Sequence, residues 1–180
     1  MRRKNNLYKN IYKFENIMKC FDEMCRNTKN KNKVNNFINY KAIYISRAYH
    51  DLKNKTYQVG KYNVFYIYDS KKRRIVSQNM YDKLVNYLVS RYILYEALIP
   101  CLIDANCASR PNKGTKYALD LYYKYGGILN KKYNSYYLLK CDIKAYFASI
   151  NIDILKKKLQ RKIKDKDAID IIFKILDSDT

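Results

Sequence analysis

Thirty-seven lysines and arginines stand against sixteen aspartates and glutamates. The single His50 adds nothing at neutral pH, so 180 residues carry a net charge of +21. A compact body of this size is pushed apart by its own charge unless a polyanion or an anionic surface relieves the repulsion. Nucleic acid is therefore the first partner to expect, and an anionic membrane surface the second. Apolar residues make up 48% of the chain, enough for a packed core, which excludes wholesale disorder. The length fits about one domain, or one subdomain of something larger. No stretch approaches the ~18 consecutive apolar residues of a membrane-spanning helix. The basic start Met1-Arg2-Arg3-Lys4-Asn5-Asn6 runs into no apolar segment, so it does not read as a signal peptide. Cys20, Cys25, Cys101, Cys107 and Cys141 are odd in number and form no closely spaced pair. With one histidine, they argue against a zinc cluster and for buried or idle thiols in a reducing, cytoplasmic setting. The 21 tyrosines, four glycines and two prolines in an Asn/Lys/Ile-rich background also fit codon bias, so part of the charge is compositional.

Hydrophobic periodicity orders the chain. Leu7, Ile11, Phe14, Ile17, Met18 and Phe21 recur at helical spacing and predict a helix over 7–26. Residues 28–36 are polar and read as a loop or a helix end. Phe37, Tyr40, Tyr44, Ile45, Ala48 and Leu52 predict a second helix over 37–52. The β-rich run 62–68 can pair with 74–77 across a cationic tip, forming a β-hairpin. Residues 81–98 predict a helix stopped by Pro100, and 114–125 another, broken by Gly126-Gly127. Tyr136 to Asp142 is apolar on both faces and predicts a central strand. Asn151 and Asp165 are expected N-caps of two last helices, the first with Asp153 in its first turn. The order is helices, hairpin, helices, strand, helices: a helix-rich α+β pattern.

Asp142 is the expected site of chemistry, a carboxylate ending a strand beside Tyr146 and Phe147. A divalent cation could be held there with its other positions open to water or phosphate; from spacing alone the plainer reading, that the residue ends the strand or caps the next turn, is favoured. Lys71, Lys72, Arg73 and Arg74 form a basic cluster that is either solvated or a clamp on a polyphosphate. Lys156, Lys157, Lys158 and Arg161 suit salt-sensitive contacts with a phosphate backbone, or an ordinary exposed helix face. Tyr117, Tyr122, Tyr123 and Tyr125 could stack on bases or fill a core.

Four blocks in order resemble bacterial reverse transcriptases of the group II intron-like branch, especially those of diversity-generating retroelements. The run from Tyr57 to Ile75 resembles their first fingers block. Asp82-Lys83-Leu84-Val85 is similar to the Asp-Arg-Val-Val element, residues 108–119 to the next block, and Leu138 to Ile150 to polymerase motif A. The resemblance implies the fingers and incomplete palm of a right-hand polymerase: an N-terminal helical region over 1–56, fingers over 57–130, and the start of the palm over 131–180. It implies RNA-directed DNA polymerase activity with an RNA template, a DNA or RNA primer and deoxynucleoside triphosphates, without a membrane. By the same resemblance Asp142 is the catalytic aspartate binding both Mg2+ ions, and the Ile143 backbone carbonyl completes one shell. Phe147 excludes a 2′-hydroxyl, and Arg73 and Lys71 contact the triphosphate. Lys72, Arg74, Arg110, Lys113, Lys156, Lys157 and Arg161 are expected to touch nucleic acid.

Departures qualify what the chain does by itself. No Tyr-x-Asp-Asp occurs, Asp177-Ser-Asp179 does not replace it, Tyr81 stands where an arginine is common, and Lys83 loses the planar fork of arginine. One aspartate supplies too little negative charge for two clustered cations. The expectation is an inactive fragment, truncated before the rest of the palm and thumb or completed by a second polypeptide, with exposed apolar surface. The alternatives are a non-catalytic, maturase-like RNA-binding module and a template-independent polymerase of the abortive-infection type.

Overall fold

The structure, a computed structural model, describes residues 3–68 and 72–178. It is helix-rich α+β and divides into two compact units, Met1–Ala97 with Ile152–Thr180, and Leu98–Asn151. No helix among the described residues is long and apolar enough to cross a membrane.

The core of the first unit follows from the helical stripes. After a 3₁₀ turn at Tyr8–Asn10, α1 (Phe14–Asn27) buries Ile17, Cys20, Phe21, Met24 and Cys25 along one face. It packs on α3 (Lys41–Lys53), which buries Ile45, Ala48 and Leu52, and on α4 (Met80–Val89), which buries Leu84, Val85, Leu88 and Val89. Each of the Ile, Leu, Val, Phe and Met side chains among them, once withdrawn from water, stabilises the unit by about 1.5–3 kcal/mol.

The polar stretch 28–36 largely becomes α2 (Lys31–Asn39), capped by the Asn30 side chain, which accepts from Lys33 N–H at 3.2 Å. Only Val34 and Phe37 are buried on it, too few for a periodic signal. The helix expected over 37–52 is consequently split at Tyr40. Phe37 stacks on Phe21 with centroids 4.8 Å apart, seating α2 against α1.

The last helices return to this unit. Asp165 caps α8 (Lys166–Asp177) as expected: Oδ1 accepts from Ala168 N–H at 3.2 Å. Its Oδ2 also accepts from Leu7 and Tyr8 N–H at 2.7 and 2.9 Å. One carboxylate therefore satisfies the start of α8 and of the N-terminal 3₁₀ turn, 157 residues apart in sequence. Lys4 bonds to the backbone of Lys162 and Lys164, and Leu159 of α7 (Ile152–Gln160) and Ile163 complete the buried joint.

The sheet is a two-stranded hairpin, β1 (Asn63–Tyr68) with β2 (Lys72–Ser77), paired antiparallel from Asn63 opposite Ser77 to Tyr68 opposite Lys72. The helix expected over 81–98 is not uniform: α4 passes into a π-helical turn at Ser90–Leu94 and then α5 (Tyr95–Leu98). Pro100 lies in the first positions of the 3₁₀ turn that follows (Ile99–Cys101), where its missing N–H is tolerated.

In the second unit, α6 (Thr115–Lys132) runs straight through Gly126-Gly127, correcting the expected break. Both glycines keep negative φ; each costs a helix about 1 kcal/mol relative to alanine but does not forbid it. A larger correction concerns Tyr136–Asp142. The expected central palm strand does not form: the segment joins no ladder, and Leu138 and Leu139 are 62% and 87% exposed. A strand requires a neighbour for its N–H and C=O groups, and among the described residues the only sheet is the β1–β2 ribbon.

Candidate nucleic-acid interface

Side chains alternate across a strand, and the register assigns each a face. On one face Val64, Tyr66 and Tyr68 lie opposite Val76, Arg74 and Lys72. On the other, Phe65 and Ile67 lie opposite Ile75 and Arg73. The ribbon is uncovered on both sides, with Tyr66 51% and Tyr68 73% exposed. Lys72 Nζ sits 4.6 Å from the Tyr66 ring centroid and 5.7 Å from that of Tyr68, so cation and phenol rings form a single patch. Lys71, expected to bind nucleotide, lies outside the described residues.

The hairpin's foot is anchored on a buried charge. Asp82, in the first turn of α4, is 2% exposed. Its Oδ1 accepts from Tyr57 Oη at 2.9 Å, and its Oδ2 from Gly60 N–H at 2.9 Å and Asn79 Nδ2 at 2.7 Å. Asn79 Oδ1 caps α4 by accepting from Asp82 N–H at 2.8 Å. Burial, and then the negative charge of Asp82, push the Tyr57 phenol far above its ordinary pKa. Tyr81 is raised likewise by burial and by the carboxylate of Asp51, to which it donates at 2.6 Å, while Arg47 stacks 4.2 Å above its ring. On the far side, Tyr62 Oη and Ser178 Oγ are 2.8 Å apart, tying the foot to the end of α8.

No protein-family model matches the chain, and no curated protein matches it.

The remaining expected contacts divide by how they are engaged. Lys72, Arg73 and Arg74 are exposed on β2, and Lys157 and Arg161 are exposed on and just after α7. Lys156 is tied to Asp177 and lies over the Phe173 ring. Arg110 donates through Nη1 to the carbonyls of Ile103 and Asn106 at 2.9 and 3.1 Å, bracing its own loop. Lys113 pairs with Asp104, which also accepts from Tyr117 Oη at 2.6 Å. The Lys113 and Tyr117 hydrogen bonds hold the Asp104 carboxyl below its ordinary pKa. Tyr122, Tyr123 and Tyr125 are exposed on α6 and fill no core.

Asp142 is exposed, and its Oδ1 accepts from the N–H of Ile143 at 2.9 Å. Phe147, 87% exposed, begins a 3₁₀ turn with its ring centroid 5.3 Å from that of Tyr146. Among the described residues no group of three or more His, Cys, Asp or Glu could hold a metal ion. Magnesium takes near-octahedral oxygen coordination, commonly from one or two carboxylates together with water and substrate phosphates. Asp142 with the Ile143 carbonyl does not assemble the two-ion site the resemblance implies, so no catalytic step is derived through it.

Two features escaped the sequence reading. Tyr66 and Tyr68 were legible only as strand formers; that they share a face with Lys72 and Arg74 depends on register. Asp82 was legible as part of a motif, but its burial depends on where Tyr57 and Gly60 pack.

Proposed function

We propose that this chain binds single-stranded RNA as the fingers and first part of the palm of an RNA-directed DNA polymerase. The observation that carries the reading is the exposed hairpin face joining Tyr66 and Tyr68 to Lys72 and Arg74. Phenol rings accept stacked bases irrespective of sequence, and the cations between them neutralise the adjoining phosphates. The order of the four blocks supports the polymerase assignment, with this hairpin where the first block requires a cationic finger. Template, primer and deoxynucleoside triphosphate are the substrates of the complete enzyme. Polymerisation with Mg2+ needs carboxylates in addition to Asp142, from further residues or a second polypeptide.

A non-catalytic, maturase-like RNA-binding role is the second reading. What favours it is that Asp142 Oδ1 accepts from its neighbour's N–H, and that among the described residues no group of three or more His, Cys, Asp or Glu could hold a metal ion.

Fluorescence anisotropy with a labelled 12-mer RNA across a salt series tests the binding. Removing two phosphate contacts in Lys72→Ala/Arg74→Ala should reduce the slope of log K against log salt by about 1.4. Tyr66→Ala/Tyr68→Ala should weaken binding by about 1–3 kcal/mol per stacked base lost, with the slope retained. Unchanged affinity and slope in both variants refute the interface. Asp142→Ala should leave binding intact, and primer extension by the chain alone should yield no product.

A further inference from the structure

We propose that the groove between α1 and the α4–π-turn segment binds one nucleoside 5′-monophosphate unit, as a second site apart from the hairpin. The groove has a volume of about 460 Å3 and is lined by Gln78, Lys83, Asn86, Tyr87, Arg91 and Tyr95, with Glu23 and Ser90 at its sides. That volume is in the range of small-molecule sites. The lining side chains combine the three kinds of group that a nucleotide requires.

Two amides come first. Asn86 Nδ2 donates to Gln78 Oε1 at 2.7 Å, leaving Asn86 Oδ1 as an acceptor and Gln78 Nε2 as a donor. A neighbouring donor and acceptor match the edge of an unpaired base. Two cations follow. Lys83 Nζ donates to Thr28 Oγ1 at 2.7 Å, and Arg91 Nη2 pairs with Glu23 Oε2 at 3.0 Å. Each keeps further N–H donors for a phosphate, and two cations against one carboxylate leave the groove net positive. Tyr87 and Tyr95 supply rings on which a base can stack.

The backbone is also unusual here. Tyr95 N–H bonds to the Ser90 carbonyl, closing an i→i+5 turn. That turn holds one residue more than an α-helical turn, so Tyr95 returns to the side of the helix that carries Ser90 and Arg91. In an uninterrupted α-helix, residue 95 would already share a face with Arg91, four residues before it, but would be rotated away from Ser90. Such π-turns occur frequently at functional sites, and Tyr95 at the end of this one lines the groove with Ser90 and Arg91.

Isothermal titration of the full chain with AMP, GMP, CMP and UMP, and separately with inorganic phosphate, tests the site. At least one monophosphate should bind, and more tightly than inorganic phosphate. Asn86→Ala should weaken it about tenfold, the effect of one lost hydrogen bond in a half-buried site. Asn86→Asp keeps the shape but removes the amide that donates to Gln78 and sets a negative charge in a groove that takes an anion, so it should weaken binding as well, with thermal melting showing that both variants fold. Lys72→Ala/Arg74→Ala should leave monophosphate binding unchanged, which separates this site from the hairpin. If Asn86→Ala also weakens the 12-mer RNA, the occupant is a nucleotide of the strand; if RNA affinity holds, it is a free nucleotide. Monophosphates that bind no better than phosphate, or binding lost only in the hairpin variant, overturn the proposal.

Discussion

Replacing Asp82 with alanine removes the acceptor for three donors at the hairpin's foot. Tyr57 Oη is buried, so stranding it costs about 1–3 kcal/mol, whereas Gly60 N–H and Asn79 Nδ2 are partly accessible and lose about 0.5–1.5 kcal/mol each. Asp82→Ala should therefore destabilise the fold by about 2–6 kcal/mol, a large share of the 5–15 kcal/mol typical of a domain. Asp82→Asn offers a sharper comparison. Its amide nitrogen can take the place of Oδ1 and donate to Tyr57 Oη, while its carbonyl oxygen serves Gly60 and Asn79. The heavy-atom geometry survives, but the charge is lost and the Tyr57 hydroxyl hydrogen loses its acceptor, so the cost should be about 1–3 kcal/mol and smaller than in the alanine variant. Urea denaturation followed by circular dichroism at 222 nm measures both. Equal losses in the two variants, or an alanine variant within about 0.5 kcal/mol of the parent, refute the assignment of Asp82 as the hairpin's anchor.

At Gly60 an added Cβ would lie 2.5 Å from Asn79 Nδ2 and 3.0 Å from Asp82 Oδ2; Gly60→Ala should cost about 1–3 kcal/mol, seen as a lowered melting temperature, and an unchanged midpoint contradicts the close approach. Stability should also fall in alkali. Burial raises the Cys20 thiol from its ordinary 9.0 to about 11, and raises Tyr8, helped by Asp167, from 10.0 to about 12. Because the unfolded chain releases these protons first, their contribution is complete below about pH 9 and is lost as pH rises toward 11–12. Melting temperatures between pH 8 and 11 should decline, and a flat or rising profile counts against it.

The helices over α1, α3, α4 and α8 were legible because each presents a one-sided apolar stripe, and Asp165 because capping is decided within four residues. The hairpin was legible from β-rich runs around a polar tip. α2 was obscured by burying only two residues. The continuation of α6 through two glycines was hidden because glycine weakens a helix without ending it. At the candidate interface, the basic residues were visible in the sequence, but which of them remain available was not. Arg110, Lys113 and Lys156 are engaged by nearby carbonyls, carboxylates and rings, while Lys72, Arg73 and Arg74 stand out on an uncovered ribbon.

Composition and spacing alone determined the net charge of +21, the helical faces, the hairpin and the expectation of a polyanionic partner, since these depend on residue type and local period. Tertiary structure decided that Asp82 is buried, that Tyr66 and Tyr68 share a face with two cations, and that the apolar run at Tyr136–Asp142 remains unpaired. Each of these depends on which distant group supplies the other half of a hydrogen bond or a contact, and a local pattern carries no record of that partner.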